Sequence, residues 1–206
     1  MQLVVDMNRI KNNIFVRGLY FFFRSYFSHN KDGFGYIGNN VVISPPLWLC
    51  RKKNIFLQEN TNLASNSYIS AYNAKFIVKK NCAIAERLTV HTGNHARIIG
   101  MFITDITEAN KPKGYDEDVV ISEDCWIGCN VTLLSGITIG RGSTIAAGAV
   151  VNKSMPPYCV CGGVPCKPIK RIWTIDEILQ HEAVLYPENE RYTREQLEEV
   201  FAKYNM

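Results

Sequence analysis

Apolar residues recur at every sixth position over long stretches of the chain. Sixth positions on an α-helix would scatter around the axis, because each residue turns by about 100°, and no buried stripe would form. In an extended strand all these side chains keep to one face, because successive side chains alternate between the two faces. The runs are Ile37, Ile43, Leu49 and Ile55; Leu57, Leu63 and Ile69; Val78, Ile84 and Val90; and Ile121, Ile127, Leu133, Ile139, Ile145 and Val151.

The six-residue step predicts a β-solenoid, in which short strands joined by corners stack coil upon coil. Glycine, asparagine and aspartate between the strands supply the turns. A single coil cannot bury its own inner face, so successive coils must stack around one narrow core. An ordinary β-sandwich, the alternative, has strands at wider and less regular intervals. The predicted fold class is therefore mainly β, with the solenoid over residues 35–172.

Different structure is expected at the two ends of the chain. The C-terminal extension, residues 173–206, contains the capping boxes TIDE (174–177) and TREQ (193–196) and should form helices that cap or buttress the solenoid. The N-terminal segment, residues 1–34, is expected to be partly helical. Its apolar stretch GLYFFFRSYF (18–27) is too short to span a bilayer. We expect this stretch to pack on the body or on a partner subunit, with peripheral contact to a membrane as the alternative.

Composition narrows the setting without deciding the function. The chain has 206 residues, of which 47% are apolar and 20% charged, and its net charge is +4. Lysine and arginine are spread along the sequence, so nucleic-acid binding is not expected. The seven cysteines are an odd number, no pair of CxxC motifs occurs and no signal peptide precedes them. Free thiols in a cytoplasmic protein are therefore expected, and no transmembrane segment is predicted.

The six-residue pattern stops after Val90 and resumes near Ile121. The residues between, from about 95 to 118, are too many for a corner and predict a loop that projects from the solenoid. Long excursions of this kind are often functional. His91 and His95 stand at the start of the loop. Histidine is the side chain suited to act as a general base near neutral pH, because its reference pKa is about 6.5.

The C-terminal half of the solenoid resembles the hexapeptide-repeat acyltransferases, in particular the galactoside and maltose O-acetyltransferases and polysaccharide-modifying relatives. The matching motifs are WIG (126–128), SGITIGRGSTIAAGAVV (135–151), MPPY (155–158) and GVPCKPIKRI (163–172). The resemblance implies a left-handed parallel β-helix of triangular section, and a homotrimer that binds acetyl-CoA between neighbouring subunits. It also implies acetyl transfer from acetyl-CoA to a hydroxyl of a sugar, a nucleotide-sugar or a surface-polysaccharide precursor.

The stretch LTVHTGNHAR (88–97) resembles the family's strand that ends in Thr-Gly before the catalytic histidine. Counting from the KKN corner (79–81) favours His95 for that position, with His91 as the alternative. It would act as general base for direct attack of the acceptor hydroxyl on acetyl-CoA in a ternary complex. His91 follows Val90 directly and should point outwards, where it could line the acceptor site. Further acceptor contacts are expected from polar and aromatic residues near the loop: Asn66, Tyr68, Tyr72 and Asn94.

The acetyl-CoA site follows from the resemblance alone. The matching positions are Trp126, Cys129, Ala147, Asn152, Lys153, Lys167 and Lys170. In the family the tryptophan lies near the cofactor, and the position of Cys129 presents a backbone amide to the thioester. Lys167 and Lys170 match basic positions near the nucleotide phosphates. Because the family often has arginine there, lysine would hold phosphate as a point charge without the bidentate geometry.

Other functions stay open on the sequence alone. N-acylation of an amino sugar, or acetylation of a small xenobiotic or of serine, would use the same cofactor. A γ-type zinc carbonic anhydrase needs three protein ligands; the two loop histidines supply two, and the third would be His29, His181 or a cysteine. Because no third histidine lies within the predicted coils, no metal is expected. A non-catalytic scaffold would not need the motifs WIG and GVPCKPIKRI together. Cys82 or Cys125 could act as a nucleophile, but spacing pairs neither with a base.

Overall fold

The computed structural model describes residues 13–27 and 31–206; residues 1–12 and 28–30, which include His29, lie outside the described residues. The helices are α1 (Ile14–Phe27), α2 (Ile175–Leu185) and α3 (Arg194–Ala202), with short 3₁₀ helices at Lys52–Asn54, Ile103–Asp105 and Glu188–Glu190. The strands are β1 (Tyr36–Ile37), β2 (Val42–Ile43), β3 (Trp48–Cys50), β4 (Ile55–Leu57), β5 (Asn62–Leu63), β6 (Tyr68–Ser70), β7 (Phe76–Val78), β8 (Ala83–Ile84), β9 (Thr89–His91), β10 (Val119–Ile121), β11 (Trp126–Ile127), β12 (Thr132–Leu133), β13 (Thr138–Ile139), β14 (Thr144–Ile145), β15 (Val150–Val151), β16 (Cys159–Gly162) and β17 (Lys167–Arg171).

From β1 to β15, every third strand lies on the same side of the coiled chain, which therefore has three sides. Face A contains β1, β4, β7, β10 and β13, and face C contains β3, β6, β9, β12 and β15. Face B begins with the pair β2–β5 and continues as β8, β11, β14, β16 and β17. All pairs are parallel except β16–β17, which is antiparallel. The predicted β-helix is confirmed, and its three edges are named AB, BC and CA after the faces they join.

Two rows of side chains fill the core on each side of the solenoid. The predicted row is buried as expected: Ile121, Ile127, Leu133, Ile139, Ile145 and Val151 have no exposed surface. A second row, two positions earlier in each repeat, was not predicted and is buried as well: Val119, Cys125, Val131, Ile137, Ser143 and Ala149. Residues two apart in an extended chain share a face, so each short strand and its preceding corner contribute two inward side chains.

The corners are built from residues in the left-handed backbone region. On edge AB, Asn40, Asn60 and Asn81 all have φ between +55° and +61°. Their side chains stack from coil to coil, with Asn40 Nδ2 donating to Asn60 Oδ1 and Asn60 Nδ2 donating to Asn81 Oδ1, both at 3.0 Å. Asparagine tolerates this conformation better than most residues, which explains its recurrence at the turns.

The C-terminal helices close one end of the solenoid, as the sequence predicts. Both capping boxes are formed, by Thr174 with Glu177 at the start of α2 and by Thr193 with Gln196 at the start of α3. The inner sides of these helices join the solenoid core through a small set of buried apolar side chains. These are Ile178, Leu197 and Phe201.

An ion pair between the solenoid and the extension is almost completely buried. Arg141 Nη1 lies 3.0 Å from Glu182 Oε1, and the Glu182 side chain has no exposed surface. The Tyr158 hydroxyl donates to the same oxygen at 2.7 Å, and the Arg141 guanidinium lies over the Tyr186 ring at 4.1 Å from its centroid. Burial and the hydrogen bond to Glu182 both raise the pKa of Tyr158 far above its usual range. The Tyr158 hydroxyl therefore stays protonated and serves as a donor.

Candidate active site

The predicted loop emerges from edge CA, between β9 and β10, and comprises residues 92–118. Its two ends are held together at the point where it leaves the solenoid. The Glu117 amide donates to the Thr92 carbonyl at 3.0 Å, and the Ser135 hydroxyl of the next coil donates to the same carbonyl at 2.9 Å. The loop therefore starts and ends on a rigid part of the scaffold.

An open cavity of about 440 Å³ lies where this loop meets face C. It is lined by four of the residues that the sequence singled out: Tyr72, His91, Asn94 and His95. It is also lined by residues that the sequence did not single out: Ser70, Asn73, Gly93, Glu108, Lys111 and Asp116. The lining is rich in hydroxyl, amide and charged groups, which suits a polar ligand with several hydroxyls.

The two loop histidines differ in how the chain holds them. His91 is the last residue of β9 and points outwards, as predicted, because Val90 beside it is buried in the core. The His91 ring lies 5.7 Å from the Tyr68 ring, measured between centroids. His95 is exposed at the loop surface. Among residues 13–27 and 31–206, no hydrogen bond holds the His95 ring.

The backbone that carries His95 is anchored on both sides. Thr92 and Ala96 are completely buried. The Thr92 hydroxyl donates to the Ala74 carbonyl at 3.2 Å, which ties this segment to the preceding coil. His95 is thus an exposed side chain on a short segment whose flanking residues are fixed in the protein interior.

Asp116 connects the far end of the loop to the histidine segment. Its Oδ1 accepts a hydrogen bond from the backbone amide of Asn94 at 3.2 Å, and its Oδ2 accepts one from the side-chain Nδ2 of Asn73 at 3.1 Å. The Lys111 ammonium lies 2.6 Å from Asp116 Oδ2 and 3.4 Å from Glu108 Oε1. A Cβ atom on Gly93 would come within 2.7 Å of Asp116 Oδ1, so a larger residue there would have to displace this carboxylate oxygen.

The charges of this cluster stabilise one another. Burial alone would raise the pKa of the Asp116 carboxyl, but hydrogen bonds from Lys111, Asn73 and the Asn94 amide outweigh it and lower the pKa. Burial likewise opposes the charge of Lys111, but Asp116 and Glu108 raise the pKa of the ammonium above its usual value. Both groups stay charged at neutral pH, so the contacts beside His95 persist under working conditions.

Two of the residues assigned to the acceptor lie apart from the cavity lining. Tyr68 is on face C, where 39% of its surface is exposed next to His91. Asn66 is on edge BC with φ +60°, and its backbone amide donates a hydrogen bond to the Pro46 carbonyl. Asn66 therefore forms part of a corner, in the same conformation as Asn130 in a later coil.

The residues assigned to acetyl-CoA lie mainly on face B and edge BC. Trp126 is on face B with 59% of its surface exposed. Cys129 and Ala147 are stacked on edge BC, and the Gly148 amide donates to the Cys129 carbonyl at 2.9 Å. Lys167 and Lys170 are exposed on β17. Asn152 and Lys153 follow β15 and lie on edge CA. Within one chain, Cys129 and Ala147 are therefore on edge BC, whereas the His95 loop is on edge CA.

All seven cysteines are free thiols, and five of them are buried: Cys82, Cys125, Cys159, Cys161 and Cys166. The Cys82 thiol donates to the Ser122 carbonyl at 3.0 Å and the Cys125 thiol to the Gly140 carbonyl at 3.2 Å, both inside the core. Burial raises the pKa of Cys125, which makes it a poor nucleophile. Across the described ranges, no three His, Cys, Asp or Glu side chains are grouped as metal ligands would be, and His181 lies on α2, where its ring contacts Trp173.

Comparison with known proteins agrees with this architecture. Residues 118–153 match the signature of the bacterial transferase hexapeptide family, with six repeats. The galactoside O-acetyltransferase of Escherichia coli is 30% identical over 149 residues, which cover 69% of this chain and 66% of that protein. The chain spans just under two thirds of the length of the first curated relatives it matches. The resemblance to hexapeptide-repeat acyltransferases is confirmed by these matches.

Solved structures extend the likeness beyond the repeat. A maltose O-acetyltransferase from Clostridium difficile superimposes with a TM-score of 0.60 at 25% identity, covering 82% of this chain and 90% of that one. A galactoside acetyltransferase in complex with coenzyme A superimposes with a TM-score of 0.59 at 21% identity, covering 94% of this chain and 92% of that one. The fold seen here is therefore the fold of these enzymes.

Proposed function

We propose that this hexapeptide-repeat protein is an acetyl-CoA-dependent O-acetyltransferase whose acceptor is a hydroxyl of a sugar or of a surface-polysaccharide precursor. The observation that carries the proposal is the position of His95, exposed in an open polar cavity on a segment whose flanking residues are buried. The names of the relatives, which are galactoside and maltose O-acetyltransferases, support the substrate class.

The lining of the cavity supports an acceptor with several hydroxyl groups. Asn73 and Asn94 offer amides, Tyr72 and Ser70 offer hydroxyls, and His91 offers a second imidazole. Groups of this kind can donate and accept hydrogen bonds with neutral hydroxyls. The exposed Tyr72 ring, with 54% of its surface accessible, provides an apolar surface beside them.

His95 is proposed as the general base of a direct transfer. As the acceptor oxygen attacks the thioester carbonyl, its proton moves to the His95 imidazole, and a tetrahedral oxyanion forms. A backbone amide would stabilise this oxyanion; the resemblance suggests the amide of Cys129. When the oxyanion collapses, the C–S bond breaks and the proton passes from His95 to the departing sulfur. The products are the acetyl ester and free CoA, and His95 is restored to its neutral form.

The active assembly is proposed to be a homotrimer whose sites lie between chains. In one chain the His95 loop is on edge CA, whereas Cys129 and Ala147 are on edge BC. A neighbouring chain related by threefold symmetry could bring its edge BC against the loop.

A substrate screen tests the function directly. The protein is incubated with acetyl-CoA and a panel of sugars, nucleotide-sugars and amino sugars, and free CoA thiol is measured together with the mass of the product. We expect thiol release that requires a hydroxyl acceptor and yields an alkali-labile acetyl ester. Exclusive acetylation of the amino group of amino sugars would make the protein an N-acyltransferase. Activity that is lost on chelation and restored by zinc would contradict the mechanism.

A further inference from the structure

Helix α1 exposes every large apolar side chain that it carries. At the N-terminal end of the helix, Phe15 is 83% exposed, and at the C-terminal end Phe27 is 60% exposed. The others are exposed as well: Ile14, Val16, Leu19, Tyr20, Phe21, Phe22, Phe23 and Tyr26. Exposing so much aromatic surface to water is unfavourable, and contiguous apolar patches of this kind mark interaction surfaces.

The helix is attached to the solenoid on a different side from most of these residues. Ser25 is buried, and its carbonyl accepts a hydrogen bond from the Leu47 amide at 3.1 Å. At about 100° per residue, most of the apolar positions fall within one sector of the helix that excludes Ser25. That sector comprises Phe15, Val16, Leu19, Phe22, Phe23, Tyr26 and Phe27. The sector is therefore directed away from the contact with the solenoid.

The charged side chains in and around α1 are all positive. Residues 7–31 contain no aspartate or glutamate. Their basic residues are Arg9, Lys11, Arg17, Arg24 and Lys31. A cationic segment with an aromatic and aliphatic sector is complementary to a bilayer surface with anionic headgroups, because the apolar side chains enter the acyl boundary while the basic groups meet the headgroups.

We infer that α1 docks the protein on the surface of an anionic lipid bilayer. The helix of 14 residues is about 21 Å long at 1.5 Å per residue, shorter than the hydrocarbon core of about 30 Å. It therefore lies in the plane of the interface, and no helix in the described part of the chain is long and apolar enough to cross a membrane. Docking of two copies through this helix is opposed by their like charges.

Sedimentation with lipid vesicles tests the inference on the full-length protein. Vesicles of phosphatidylcholine alone are compared with vesicles of an equal mixture of phosphatidylcholine and phosphatidylglycerol. We expect binding to the mixed vesicles at low salt, with at least about tenfold weaker binding to the neutral ones. Phe23→Glu should weaken binding to the mixed vesicles by about tenfold or more, because a charge replaces an apolar group within the sector. Equal binding to both kinds of vesicle, or none to either, would overturn the inference.

A matched variant separates docking by α1 from general surface hydrophobicity. Val184 is 80% exposed on α2, outside the proposed docking surface, so Val184→Glu should bind vesicles like the wild type. Because α1 contributes nothing to the solenoid core, Phe23→Glu should keep the wild-type circular dichroism and native mass. If Phe23→Glu binds vesicles as the wild type does, α1 is not the docking element. If the wild type self-associates through α1 and does not bind lipid, the apolar sector of α1 binds a second copy of the protein and the inference is wrong.

Discussion

The Asp116 carboxylate accepts a hydrogen bond from the Asn94 amide at 3.2 Å, directly before His95 and across the base of the loop. Gly93 leaves room for this contact, because a Cβ atom there would collide with the same carboxylate oxygen. The Lys111 ammonium contacts both oxygens of this carboxylate, Oδ1 at 2.8 Å and Oδ2 at 2.6 Å. The relationship fixes the backbone that presents His95 without touching its ring.

Asp116→Asn should lower kcat by about tenfold to a hundredfold and leave KM for acetyl-CoA nearly unchanged. The asparagine keeps the shape of the side chain but loses the charge that holds Lys111 and the Asn94 amide, and a misplaced base costs rate more than it costs binding. Steady-state kinetics measures both constants. Asp118→Asn is the matched control, since Asp118 accepts a hydrogen bond from the Lys75 backbone amide at 2.7 Å, whereas the Asn94 backbone amide donates to Asp116. An equal loss in both variants would remove Asp116 from the positioning of His95.

His95→Ala should lower kcat by about 10²- to 10⁴-fold, the range typical for a lost general base. Binding of acetyl-CoA and the native mass should be unchanged, because the His95 side chain is exposed. Calorimetric titration and native mass spectrometry check these two properties. His181→Gln, on α2, is the control histidine and should keep turnover within about twofold of the wild type. Turnover near the wild-type value in His95→Ala would exclude His95 as the base.

The solenoid could be predicted from the sequence because its rule is local and repeated. A step of six residues with turn residues between requires the same backbone in every coil, and the capping boxes of α2 and α3 are likewise encoded in four consecutive residues. The second buried row could not be predicted because it mixes valine and isoleucine with small or weakly polar residues, such as Cys125 and Ser143. These residues are buried only because the coils stack, and their residue types alone do not indicate burial.

The candidate site could be predicted only in part. His95 follows the end of a strand, in a stretch that resembles a family motif, so it could be proposed from the sequence. Asp116 was not, because the loop between residues 92 and 118 has no periodicity and the contact with Asn94 joins positions 22 residues apart. The glycine before Asn94 was the one available signal, since a glycine can indicate the close approach of another group.

Gly142 and Gly148 offer a matched test of the corner geometry. Both have φ in the left-handed region, at +69° and +74°. A Cβ atom at Gly142 would overlap the Tyr158 ring, whereas one at Gly148 meets nothing within 4 Å. Gly148→Ala should lower the free energy of unfolding by about 1–2 kcal/mol, the cost of this conformation for an L-residue.

Gly142→Ala should lower the free energy of unfolding further, by an additional 1–3 kcal/mol or so, because it also overpacks the core. Denaturant unfolding at one fixed protein concentration measures both variants, since association also contributes to stability. Equal losses in the two variants would show that the Tyr158 ring moves aside without cost.

Loss of the buried ion pair between Arg141 and Glu182 should lower the free energy of unfolding far more than loss of an exposed ion pair. Arg141→Ala leaves the carboxylate of Glu182 buried without its cation and should lower the free energy of unfolding by about 3–5 kcal/mol. Lys203→Ala removes a comparably short pair, 2.9 Å from Glu199, in which both side chains are more than 60% exposed. That change should cost no more than about 0.5 kcal/mol. The same unfolding experiment checks both, and similar losses would contradict the role given to Glu182.

Complementation between two inactive variants should show whether each site is shared between chains. His95→Ala removes the base, and Ala147→Trp places a bulky side chain on the exposed corner proposed to face acetyl-CoA. Neither variant should be active alone. In a trimer that contains both, an intact His95 on one chain can face an intact Ala147 on its neighbour. With equal amounts and random exchange, about a quarter of the interfaces combine the two intact parts, so about a quarter of the wild-type activity should return.

Subunit exchange after mild denaturation, followed by native mass spectrometry and the acetyl-transfer assay, carries out this test. Each variant taken through the procedure alone is the control and should stay inactive. If His95 and Ala147 served the same site from one chain, every chain in the mixture would carry one defect and no activity would return. Verified mixed trimers without activity, or an active monomer of the wild type, would therefore contradict a shared site. Recovery that follows the fraction of mixed interfaces would also fix the direction of pairing, with edge CA of one chain against edge BC of the next.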